Sequence, residues 1–144
     1  MSFRVVNTVD VESESDIPDR FTGRVRLRHD GQLVYVAWLV EGVLTNPARQ
    51  TPSYVRYRQN GRVKYEMHYR AGALHDPGEG EPAVRGFHAN GNVHYEERYR
   101  NGRRHDGPGG IAAITKWRSD GTMRRQLRYY NGRQVARHHV PAPS

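Results

Sequence analysis

A thirty-residue interval recurs four times along this chain. Asp30-Gly31, Asn60-Gly61, Asn90-Gly91 and Asp120-Gly121 each fall one interval apart. A second glycine series, Gly42, Gly72, Gly102 and Gly132, keeps the same step. Between the two series lie Tyr35, Tyr65 and Tyr95, then Leu39, Tyr69, Tyr99 and Tyr129. A fixed period of this size marks a repeat architecture, in which each unit buries its apolar residues only against its neighbours. It points toward a binding surface and away from a catalytic pocket.

Turn chemistry and alternation give each unit its shape. The clearest strands are 32–40, 62–70, 92–100 and 122–130. Their odd positions are mostly apolar (Val63, Tyr65, Met67, Tyr69), and from the second unit on their even positions are polar (Lys64, Glu66, His68). Strict alternation of this kind is the pattern of a half-buried strand, and an even period keeps the same side buried in every unit. The preceding strands carry Val25/Leu27, Val55/Tyr57, Arg85/Phe87 and Thr115/Trp117, again at odd positions. Odd opposite odd requires a three-residue loop ending in a left-handed glycine, so 29–31, 59–61, 89–91 and 119–121 are expected to be such loops. The connections after the second glycines are rich in breakers, as in Asn46-Pro47, Asp76-Pro77-Gly78 and Gly107-Pro108-Gly109-Gly110. The expected fold is all-β: a single twisted antiparallel meander of four hairpin repeats with an N-terminal capping segment and no substantial helix. The hydrophobic fraction of 35% over 144 residues fits a thin core.

The implied organisation is an acidic cap over 1–22, repeats over 23–134 (units near 27–56, 57–86, 87–116 and 117–134) and a flexible basic tail over 135–144. Val34, Val36 and Trp38 make the first unit apolar on both sides, and Phe3, Val5, Val6, Val9 and Val11 of the leader are the expected cover. The odd-position apolar side of the other units needs cover too, and a homodimer stacked through that side is one way to supply it. No cysteine is present, which excludes disulfides, thiolate zinc sites and thiol nucleophiles. The start carries no secretion-signal pattern and no apolar run reaches membrane-spanning length. A cytoplasmic location is expected, or the virion or host cytoplasm if the chain is phage-encoded.

The formal net charge is +8, and acidic Asp10, Glu12, Glu14, Asp16 and Asp19 crowd the leader, so the repeats are strongly basic. A basic body attracts a protein with acidic surface, nucleic acid or anionic lipid. Basic residues follow the even positions, which makes Arg56, Arg58, Lys64, His68, His94, Arg98, Arg100, Arg118, Arg124 and Arg128 the candidate partner-binding residues. An ordinary solvated face with weak cross-strand ion pairs accounts for the same pattern. Tyrosines at odd and arginines at even positions fall on opposite sides, which counts against a base-stacking platform.

The repeated His75-Asp76 and His105-Asp106 form a candidate functional loop. A His-Asp pair is the orienting half of a nucleophilic triad, but no serine occupies a strained nucleophile turn. The simpler reading has Asp closing a turn and His bonding to neighbouring backbone, with both residues lost from the first unit around Asn46-Pro47. No cofactor is expected. His138-His139 on the tail is a weak candidate metal pair.

The stretches "YRAGALHD" and "YRNGRRHDGPGG" resemble the MORN-like hairpin repeats, including a phage and bacterial variant built on Tyr-x-Asn-Gly-x-x-His followed by Gly-Pro-Ala. The matching positions are Tyr69, Gly72, His75, Pro82 and Ala83, then Tyr99, Asn101, Gly102, His105, Gly109 and Ala112. The likeness covers about residues 24–134, with longer spacing than a usual MORN unit and His-Asp in place of His-Gly or His-Arg. The resemblance implies an elongated twisted sheet serving as a protein-interaction or membrane-proximal scaffold, with antitoxin-like members among bacterial relatives. It carries no catalytic residues. The functional expectation is a non-catalytic module that binds a protein partner through a basic sheet face. The alternatives are an electrostatic binder of nucleic acid or anionic lipid and, more weakly, a hydrolase using the His-Asp loops.

Overall fold

The structure, a computed structural model, describes residues 7–135. Phe3, Val5 and Val6 of the leader and His138-His139 lie outside the described residues, as does the tail beyond Val135. The described chain is all-β and mainly antiparallel, and its only helical pieces are two three-residue turns, Glu14–Asp16 and Pro108–Gly110.

Its strands are β1 (Thr8–Val11), β2 (Gly23–His29), β3 (Gln32–Val40), β4 (Val43–Leu44), β5 (Tyr54–Tyr57), β6 (Val63–Met67), β7 (Tyr69–Arg70), β8 (Ala73–Leu74), β9 (Val84–Phe87), β10 (Val93–Glu97), β11 (Tyr99–Arg100), β12 (Arg103–Arg104), β13 (Ile114–Trp117), β14 (Met123–Leu127), β15 (Tyr129–Tyr130) and β16 (Arg133–Gln134). The main sheet runs β1-β2-β3-β5-β6-β9-β10-β13-β14, with β4 paired to β3. Every neighbour along it is antiparallel except β1, which pairs parallel to β2. The leader therefore departs from an all-antiparallel sheet: β1 reaches β2 through the long connection 12–22, which is what a parallel pair requires.

Three of the four expected three-residue loops form. Arg58 N donates to Arg62 O (2.8 Å) and Gly61 N to Arg58 O (2.9 Å), and the same two bonds recur at His88/Asn92/Gly91 and Arg118/Thr122/Gly121. Gly61, Gly91 and Gly121 sit at φ 87°, 93° and 91°, where a Cβ is penalised. The first loop differs. His29 pairs directly with Gln32, and Asp30 and Gly31 both take positive φ (50° and 81°), the signature of a two-residue type I′ turn. Asp30 tolerates that region better than most residues.

The second turns are two-residue turns throughout, with both central residues at positive φ, as at Ala71 (49°) and Gly72 (83°). Directly after each second glycine stands a short third strand of two residues, β4, β8, β12 or β16. These small hairpins stack on one another: Gly72 N donates to Leu44 O (3.2 Å), Gly102 N to Leu74 O (2.8 Å) and Gly132 N to Arg104 O (2.8 Å).

The core is thin and lies at the N-terminal end. Val11, Val25, Tyr35 and Ala37 are buried together, with Val9, Ile17, Phe21, Leu27, Val34, Leu39, Leu44 and Tyr54 against them. The leader thus covers the first unit from the side that holds Val25 and Ala37. On the other side, the Arg24 guanidinium lies 5.6 Å from the centre of the Trp38 ring, a cation–π cover for an aromatic at an even position. Beyond that cluster the fully buried positions are small: Ser53, Ala83 and Ala113, one interval apart, where each long connection returns to the sheet.

Candidate partner-binding surface

The faces of the sheet are set by a register shift inside each hairpin. Tyr57 pairs with Val63 next to the loop, but Arg56 pairs with Tyr65, so Lys64 is an extra residue in β6. The same shift falls between Val93 and Tyr95 in β10 and between Met123 and Arg125 in β14. In these three hairpins odd opposes odd beside the loop and even opposes odd beyond the bulge, whereas in the first, whose extra residue is Val34, unlike parity stands beside the loop and Leu27 pairs with Tyr35 beyond it. The expected separation of basic and aromatic faces is overturned by that single residue.

Cross-strand partners share a face. One row reads Leu27, Tyr35, Arg56, Tyr65, Gly86, Tyr95, Lys116, Arg125 across eight strands. Tyrosines and cations therefore stand together. The Tyr35 and Tyr54 rings lie 4.9 Å apart, and Tyr54 and Tyr65 stack at 5.9 Å. Arg56 Nη1 donates to the Tyr54 hydroxyl (3.1 Å). Burial pushes the Tyr54 phenol up, and burial followed by the Glu14 carboxylate pushes Tyr35 up to about 12. The Tyr95 ring lies over Gly86, where an added Cβ would come within 2.2 Å of it. The neighbouring row on this face, Ala37, Tyr54, Met67, Val84, Glu97, Ile114, Leu127, mixes apolar side chains with one carboxylate. Neither row is apolar throughout.

The opposite face carries Val55, Glu66, Arg85, Glu96, Thr115 and Gln126 in register. Arg85 Nε donates to Glu96 (2.8 Å) and its Nη2 lies 2.9 Å from Glu81. Burial raises the Glu66 carboxyl, against a lowering pull from Arg85. The charged centre of this row reads Glu, Arg, Glu, and the row is not a band of arginine and histidine.

The candidate basic residues divide sharply. His68 and Arg98 are only 6% and 5% exposed, so little of either side chain reaches the surface. Arg98 Nη1 donates to Gly80 O (2.7 Å), and Arg128 one unit on donates to Gly110 O and lies 3.5 Å from Asp106. Arg58 donates to Phe87 O (2.8 Å), which ties two units together. His94 stacks on His88 with ring centres 4.1 Å apart. Arg118 holds Met123 O of its own hairpin (3.0 Å) but stays exposed. Lys64, Arg100 and Arg124 are exposed, and Arg56 stands half-buried in the tyrosine row. Reasoning from parity missed that Tyr54 neighbours Arg56 and Tyr65, and that Lys116 and Arg125 continue their row beside Tyr95. Counting register through the three-residue loop gives no sign of the bulge.

The His-Asp loops are clamps between units. Asp76 Oδ1 accepts from Ala83 N and Tyr99 N, both at 2.9 Å, and Asp106 Oδ1 accepts from Ala113 N and Tyr129 N at the same distance. His75 Nδ1 accepts from Asn101 N and His105 Nδ1 from Asn131 N, each at 3.0 Å. Each loop thereby fastens the turn of the next unit. The first unit has not lost the device. Asn46 stands one interval before Asp76, and its Oδ1 accepts from Tyr69 N (3.2 Å) and from the Ser53 hydroxyl. With Oδ1 so engaged, the Asn46 amide donates to His68 Nδ1 (2.9 Å), and burial holds that imidazole down to about 4.

Both loops border one shallow depression of about 190 Å³, shared with Tyr99, Arg100 and Pro108. Their carboxylates and Nδ1 atoms are committed to backbone N–H groups, and no His-Asp hydrogen bond links them among the described residues. The orienting contact of a triad is therefore missing. No three His, Asp or Glu side chains converge as metal ligands among the described residues. No described helix is long and apolar enough to cross a membrane.

No known protein-family model, curated protein or solved structure matches this chain.

Proposed function

We propose that this chain is a non-catalytic module of four hairpin repeats that binds a protein partner through the face holding Arg56, Tyr65, Tyr95, Lys116 and Arg125. The observation that carries this reading is the bulge-driven register that sets tyrosines and cations in one row. Tyr and Arg are the side chains that dominate protein interfaces, because each offers a large contact area with a polar tip. The recurrence of loop, clamp and turn bonds at the sequence interval supports the repeat-array reading and the MORN-like resemblance. An antitoxin-like accessory role in a bacterial or phage cytoplasm is the setting this proposal adopts.

Affinity capture from the native host tests it. A partner recovered by the wild type should be lost by Arg56→Glu/Lys116→Glu/Arg125→Glu and kept by Arg62→Glu/Arg70→Glu, whose changes lie at the turns. Retention of the partner by the triple variant overturns the assignment of the face.

A second reading is favoured by the same row. Tyrosines and cations on one side are what single-stranded nucleic acid needs for stacking and phosphate contact. A gel shift with random single-stranded DNA discriminates the two, since polyanion binding weakens steeply as salt rises. Absence of any salt-sensitive shift removes that reading.

A further inference from the structure

Among the described residues, nothing pairs with the outer edge of β14 or with the outer edge of β1. Each edge presents backbone N–H and C=O groups to any strand that fits. The two surroundings are opposite in charge. Near β14, Arg124, Arg125 and Arg133 are exposed, and Met123 and Tyr130 are 51% and 66% exposed. At the other end, Glu12, directly after β1, and Asp16 and Asp19 of the 12–22 connection are exposed and make no ion pair among the described residues. Strand direction fits as well. Antiparallel steps from β2 to β14 leave β14 running opposite to β2, and β1 runs parallel to β2. The β1 strand of a second copy, placed beside β14 by translation along the sheet, runs antiparallel to it and continues the alternation.

We propose that the chain associates head to tail, with the β1 edge and acidic leader of one copy seated on the β14 edge and basic last unit of the next. The contact is heterologous, so each added copy leaves one end of each kind free and the assembly lengthens with concentration. Pairing of β14 with β14 is disfavoured, because antiparallel self-pairing about the strand centre brings arginines opposite one another. Charge thus selects the unlike end. This inference shares Arg125 with the proposed partner face and otherwise does not rest on what that face binds.

Sedimentation velocity of the full chain at rising concentration tests it. The expected result is a shift from single molecules to progressively longer species, reversed by salt. Arg124→Glu/Arg125→Glu alone should stay monomeric, as should Glu12→Lys/Asp16→Lys/Asp19→Lys alone. Their mixture should associate again, since each reversed end now meets a complementary one. A wild-type chain that is monomeric at every concentration overturns the proposal. So does a species that stops at a dimer, or association that survives either reversal. Hydrogen exchange on the wild type gives a readout that needs no variant: protection of the 123–127 amides should rise with concentration, and protection independent of concentration counts against it.

Discussion

Single side chains in this protein are spent mostly on joining one unit to the next. Asp106 satisfies two backbone N–H groups, one of them on fully buried Ala113. Replacing it with Ala leaves both without an acceptor, and Asp106→Ala is expected to lower unfolding free energy by about 1–3 kcal/mol in urea titration. Asp106→Asn keeps the Oδ1 acceptor, as native Asn46 does, and is expected to lose much less. His68 gives a pH signature. Its folded value of about 4 lies below the ordinary 6.5, so the unfolded chain binds the proton more readily between those limits. The neutral imidazole's contribution is complete above 6.5 and is lost as pH falls toward 4, a loss on the order of 2–3 kcal/mol. Thermal melts from pH 7 to pH 4.5 should show that decline, and His68→Gln should flatten it. Asp76, raised chiefly by burial, works the other way: its ionised form is penalised, and the penalty lifts only in acid. The sequence announced these loops as turn-forming and backbone-bonding. It did not announce their partners, because Ala83 and Tyr99 lie seven and twenty-three residues away and only stacking brings them near.

At the scale of strands and turns, local chemistry was a good guide wherever the deciding contact is local. Glycine at the left-handed position specified the three-residue loops of the second to fourth hairpins. The first hairpin took the shorter turn, since Asp30 also adopts positive φ. The bulges at Lys64, His94 and Arg124 were not legible, because an extra residue is defined only against a partner strand. Strand β9 shows the consequence in Gly86, whose Cβ position is filled by the Tyr95 ring across β10. Gly86→Ala is expected to destabilise by about 1–3 kcal/mol through overpacking, measured by chemical denaturation. Pairing it with Tyr95→Leu should recover part of that loss, and no recovery would show that the ring is not what fills the site.

For the whole molecule, connectivity follows the sheet: each hairpin touches the one before and the one after, and the leader closes the N-terminal end. Stability in such an array is a sum over neighbours, and ends without a neighbour open first. Hydrogen exchange on dilute protein should therefore find the slowest amides in β2, β3, β5, β6, β9 and β10, where both neighbours are present and the core or the clamps close over them. The fastest strand amides should lie in β14 to β16. Equal protection across all strands would mean a single cooperative block. The exposed C-terminal strand and the mixed tyrosine and cation face are properties of this assembled sheet, and neither belongs to any one unit.

Period, turn glycines and alternation were enough to specify an all-β, hairpin-rich chain, because each of these signals acts through backbone conformation within a few residues. Which face each side chain occupies, which arginines are free and which are buried, and what the His-Asp loops hold were decided only by tertiary structure. Those outcomes depend on register between strands and on contact with the following unit, and one inserted residue per hairpin is enough to carry an arginine from the expected polar side into a row of tyrosines.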